Sequence, residues 1–139
     1  MGRIMAIDYG TKRVGIAVTD PSRIIATGLT TVHSKDVIQF LKDYFEKETV
    51  DCLVLGDPKK LDNTASESAV HVETFLKALK KNFPLLKIER IDERFTSKMA
   101  FQTMIDSGLK KKARRNKGLV DEISATIILQ SFMEKSSHA

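Results

Sequence analysis

The sequence has a single cysteine among 139 residues, no internal repeat, and no apolar run approaching the ~20 residues of a membrane span. Cys52 therefore has no intrachain disulfide partner. Its setting in Cys52-Leu53-Val54-Leu55 reads as a reduced, buried thiol, the usage of a cytoplasmic protein. The apolar residues of Met1-Gly2-Arg3-Ile4-Met5-Ala6-Ile7 are too few for a signal peptide and are closed by Asp8. Ala6 stands where a myristoylation motif calls for Ser or Thr. No membrane partner is expected. His33, His71 and His138 are scattered, and with one cysteine they offer no zinc site.

What is present suits one domain over residues 1–139. Hydrophobic residues make up 42% and charged residues 29%, enough for one ordinary core. The net charge of +5 favours an anionic partner. Its distribution is more telling than its total. Lys110, Lys111, Lys112, Arg114, Arg115 and Lys117 form a block without an acid, which reads either as a solvated loop or as a nucleic-acid contact.

Short apolar runs at Ile4–Ile7, Val14–Val18 and about Ile24 to Val32, separated by Gly- and Pro-marked turns, predict an antiparallel meander. Gly15 inside the second run marks close approach by another backbone or a ligand. Ser34 offers a cap for a helix to about Lys47, with Val37, Leu41 and Tyr44 on one face and Ile38 and Phe45 offset. Val50 to Gly56 reads as a buried strand. Thr64-Ala65-Ser66-Glu67 has capping-box spacing ahead of a helix carrying Ala69, Val72, Leu76 and Leu79. A strand over Leu86–Ile91, a helix over about Ser97 to Ser107 and a last helix from about Leu119 to Glu134 complete the order. The expected class is α/β, a mixed five-stranded sheet with helices on both faces.

Three acids stand at element ends. Asp8 closes the first strand, although an Asp before Tyr9-Gly10 also suits a turn. Glu93 follows the last strand and has Arg94 beside it as a possible ion-pair partner. Asp121 falls in the first turn of the last helix, where an acid complements the dipole. Its helical neighbours Ser124, Ala125 and Ile128 are small or apolar, so Asp121 is expected on a face packed against the sheet; Glu122 is expected in solvent. In mixed α/β sheets sites collect beyond the C-terminal ends of parallel strands, where Asp8 and Glu93 both stand. Three clustered carboxylates favour a bound cation or proton uptake. Oxygen ligands of this kind suit Mg2+ or Mn2+.

Four blocks then match one family in order: Ile7-Asp8-Tyr9-Gly10-Thr11-Lys12-Arg13-Val14-Gly15-Ile16-Ala17, Leu55-Gly56-Asp57-Pro58, Asp92-Glu93-Arg94-Phe95-Thr96, and Val120-Asp121-Glu122-Ile123-Ser124-Ala125. The sequence resembles the YqgF, or RuvX, family over nearly its whole length. The resemblance implies a ribonuclease H-like fold and a nuclease acting either on Holliday junctions or on the precursor of 16S ribosomal RNA. It implies metal ligands, and hence catalytic residues, at Asp8, Glu93 and Asp121, with Lys12 and Arg13 approaching the substrate backbone. Two departures bear on substrate contacts: Asp57 with the Lys59 to Asn63 loop, and Glu122, where the family more often has a small or apolar residue.

The implied chemistry is phosphodiester hydrolysis assisted by two ions about 4 Å apart. Arg94 either pairs with a phosphate or braces the Glu93 loop, and the 110–117 block clamps the backbone of structured RNA or branched DNA. A junction resolvase calls for a homodimer, whereas RNA trimming needs only a monomer. Two rivals are weaker. Asp8-Tyr9-Gly10-Thr11 also resembles the first phosphate loop of the sugar kinase, actin and Hsp70 superfamily, whose members need two such domains. A nucleic-acid-binding protein that had lost its chemistry would have no need of all three acids.

Overall fold

The computed structural model describes residues 2–57, 67–92 and 116–137. Within them lie strands β1 (Arg3–Tyr9), β2 (Arg13–Thr19) and β3 (Ala26–His33), helix α1 (Val37–Lys47) and strand β4 (Val50–Asp57). Helix α2 (Glu67–Asn82), strand β5 (Lys87–Asp92) and helix α3 (Lys117–Ser137) follow. The strands form one mixed sheet in the order β3-β2-β1-β4-β5. β1, β2 and β3 make the antiparallel meander, while β1, β4 and β5 run parallel. The C-terminal ends of β1, β4 and β5 therefore share one edge.

Alternation along each strand divides the core in two. Met5 and Ile7 of β1, Val14 and Ile16 of β2, and Leu53 and Leu55 of β4 pack with Val37 and Leu41 of α1 and with Val72, Phe75 and Leu79 of α2. Ile4, Ala6, Ala17, Cys52 and Val54 face the other way, against Ala125, Ile128 and Leu129 of α3. Helices thus cover both faces, as expected. Tyr9 stacks on Phe75 with ring centroids 4.3 Å apart, tying the end of β1 to α2. Cys52 is buried; burial, with a lesser push from the Glu89 carboxylate, raises its thiol above the usual range. That fits an inert core thiol.

Several boundaries differ from the sequence reading, each for a local reason. Ile24 and Ile25 lie outside β3 and are 72% and 63% exposed. The Asp20 carboxylate accepts both of their backbone N–H groups at 2.8 Å, holding the chain in a turn until Ala26. Ser34 does not cap α1. Asp36 takes the cap position without a side-chain bond, while the Ser34 hydroxyl donates to the Thr11 carbonyl at 2.5 Å. α3 begins at Lys117, two residues earlier than expected, because the Asn116 side chain accepts the Leu119 N–H at 3.2 Å. The Thr64 capping box and the helix over about Ser97 to Ser107 lie outside the described residues.

Candidate active site

The site grows from a single close approach. Gly15 of β2 sits opposite Asp8 of β1 in the antiparallel register, so positions 8 and 15 project to the same face. A Cβ built on Gly15 would overlap the Asp121 carbonyl and lie 3.0 Å from the Asp121 Cβ. Only a residue without a side chain lets the backbone of α3 come this near. The close approach expected at Gly15 is thus made by the helix that carries Asp121. The Thr31 hydroxyl of β3 fastens the same turn, donating to the Gly118 carbonyl at 2.6 Å.

Asp8 and Asp121, from opposite ends of the chain, consequently line one cleft of about 300 Å³ with Tyr9, Gly10, Thr11, Lys12 and Arg13. The β1–β2 loop forms one wall. Its Gly10 N–H donates to the Arg13 carbonyl at 3.0 Å, and Ser34 holds both the Lys12 and Thr11 carbonyls. Arg13 Nε donates to Asp121 Oδ2 at 2.7 Å, and the Asp121 side chain is only 19% exposed. Asp121 is therefore partly desolvated on the sheet-facing side of α3, as expected. The helix-dipole explanation of this acid weakens, since the first turn of α3 as observed contains no acid. Glu122 departs from expectation: it is half-buried, with Oε1 3.3 Å from the position a Cβ on Gly28 would take.

Other predicted residues are distributed as follows. Lys12 is exposed in the cleft wall. Arg13, expected on substrate, is engaged by Asp121 in this structure. Glu93, Arg94, Lys110, Lys111, Lys112, Arg114, Arg115 and the Lys59 to Asn63 loop lie outside the described residues, as do the side chains of Asp57 and Lys117. β5 ends at Asp92, the residue before Glu93, level with Asp57 on the sheet edge that carries Asp8. His33 is exposed, its Nδ1 accepting the Lys35 N–H at 3.1 Å, and His71 is exposed; neither adjoins the cleft. Sequence reasoning gave no notice of the Arg13–Asp121 pair, because the two residues belong to different elements far apart in the chain.

The described donors fit a hard divalent cation. Two carboxylates share the cleft, and the cation now held against Asp121 is the guanidinium of Arg13. Among the described residues there is no group of three His, Cys, Asp or Glu side chains that would hold a metal. No helix among them is long and apolar enough to cross a membrane.

Residues 2–135 match the family described as "RuvX: Holliday junction resolvase". The chain belongs to the RuvX family. A relative from Christiangramia forsetii is 60% identical over 133 residues, covering 96% of this chain and 98% of its own, and is named "Putative pre-16S rRNA nuclease". A relative of the same name from Bacteroides thetaiotaomicron is 54% identical, covering 96% and 97%. Among solved structures, the fowlpox virus resolvase in complex with Holliday junction DNA superposes with a TM-score of 0.63 at 15% identity, covering 96% of this chain and 98% of that one. RuvC of Thermus thermophilus with its Holliday junction substrate gives 0.60 at 14% identity, covering 98% and 96%. At such identities the likeness concerns the fold. This RuvX chain has the ribonuclease H-like fold of the RuvC resolvases.

Proposed function

We propose that the protein is a metal-dependent nuclease that hydrolyses phosphodiester bonds in maturing the 5′ end of pre-16S ribosomal RNA. The observation that carries this reading is the convergence of Asp8 and Asp121 in one cleft whose wall bears Lys12 and Arg13. The names of relatives at 50–60% identity supply the substrate. Asp8, Asp121 and Glu93 would hold Mg2+ or Mn2+, a pair of ions in the full site. Bound there, the metal supplies an activated water and neutralises charge on the reacting phosphate.

The chain's own residues do the rest. Asp8, fixed by strand pairing, and Asp121, fixed by the seat of α3 on Gly15, keep their carboxylates on one side of the sheet edge. Lys12 and Arg13 bring positive charge to the mouth, where phosphate contacts position a backbone without reading its sequence. The basic block at 110–117 adds six positive charges to the sequence, so affinity for nucleic acid is expected to fall steeply with salt. A resolvase acting as a homodimer on branched DNA is the second reading, favoured by the description of the family itself.

The test is a cleavage panel with Mg2+ or Mn2+, comparing pre-16S RNA, Holliday junction, duplex and single-stranded DNA. Asp8→Asn should lower cleavage by on the order of a thousandfold and leave binding largely intact. Undiminished cleavage by that variant would rule out the mechanism, and preference for the junction over RNA would select the second reading.

A further inference from the structure

Arg13 stands where the proposed chemistry needs a different cation. Its guanidinium holds Asp121 at 2.7 Å, and its side chain is 45% exposed against 19% for the carboxylate. The acid is the enclosed partner and the base the accessible one. The Arg13 backbone is fixed by pairing with His33 and by the Gly10 N–H, so only its side chain is free to turn. Among the described residues lining the cleft, Asp8 and Asp121 balance Lys12 and Arg13 in formal charge.

We propose that Arg13 is an exchangeable placeholder, neutralising Asp121 in the metal-free protein and yielding it to the incoming divalent cation. The proposal rests on the nuclease reading above. A divalent ion needs the same carboxylate oxygens and repels the guanidinium. Its two charges also offset those of Asp8 and Asp121, the described acids of the cleft, and release Arg13 from its ion pair. The planar guanidinium then suits a phosphodiester, which it can meet with two parallel hydrogen bonds. Metal loading thus makes the cleft more positive. By linkage, metal and nucleic acid each strengthen binding of the other, with Arg13 as the coupling residue.

The test follows the Arg13 side chain directly. In protein carrying 15N-arginine, the Arg13 Nε–H resonance, identified by its loss in Arg13→Gln, is recorded during a Mg2+ titration alongside calorimetry. The resonance should shift and exchange faster with water as the site fills. Arg13→Gln should bind Mg2+ roughly two- to fivefold more tightly, the scale of a partly exposed ion pair, with Arg13→Lys in between. A resonance unmoved at saturation, or equal or weaker binding by Arg13→Gln, overturns the exchange; weaker binding would instead make Arg13 a brace for Asp121. If the wild-type protein takes up no Mg2+ that Asp8→Asn abolishes, the nuclease reading itself fails and the exchange with it.

Discussion

The face of the sheet under α1 and α2 and the face under α3 are filled by side chains of different size. The first is lined by Met5, Ile7, Val14, Ile16, Leu53 and Leu55, which meet Leu41, Phe75 and Leu79. The second packs Ile4, Ala6, Ala17, Cys52 and Val54 against Ala125, Ile128 and Leu129, and beyond Ala6 and Ala17 it narrows to Asp8 opposite Gly15. Large apolar residues fill the space between sheet and helices, and their burial carries much of the stability. Small ones let the α3 backbone settle onto β2, bringing Asp121 to the edge that holds Asp8. The second face also gives up some stability. Among the described residues the buried Ser124 hydroxyl has no hydrogen-bond partner.

Equal disturbances of the two faces should therefore have unequal consequences. Leu53→Ala, at a fully buried position under α1 and α2, should cost about 2–5 kcal/mol of stability. Cleavage per folded molecule should stay near wild type. Gly15→Ala should cost less, about 1–3 kcal/mol, yet lose most of its activity because α3 must shift away from Asp8. Urea unfolding paired with cleavage assays on the folded fraction checks both. A fully active Gly15→Ala, or a folded but inactive Leu53→Ala, would erase the distinction. Thr31→Val removes the 2.6 Å bond to the Gly118 carbonyl and should cost only about 0.5–1.5 kcal/mol, with a smaller fall in cleavage, since Gly15 still seats the helix.

The contrast between the faces was partly legible in the sequence. Alternation separates Met5 and Ile7 from Ile4, Ala6 and Asp8 before any coordinates are known, and the meander and parallel units follow from the same patterns. Gly15 inside a strand signalled a close approach, and the small residues after Asp121 signalled a packed face. Local competition hid other features. The Asp20 carboxylate took the N–H groups of Ile24 and Ile25, so an apolar pair that looked like strand became an exposed turn. Ser34 offered a cap, but its hydroxyl went to Thr11 across the chain. Glu122 was expected in solvent because helical geometry turns it away from Asp121; it instead lies over Gly28 of β3, where a missing side chain leaves room. The Arg13–Asp121 pair arises only when β2 and α3 meet, and no spacing rule reaches that far.

A double-mutant cycle on Mn2+ affinity tests most directly whether Asp8 and Asp121 serve one cation site. Calorimetry on the wild type, Asp8→Asn, Asp121→Asn and the double variant should show each single change weakening binding by about tenfold or more, with the double loss well short of the product of the two. Losses that simply multiply, or a single variant that binds Mn2+ as tightly as the wild type, would mean that the two carboxylates do not share an ion.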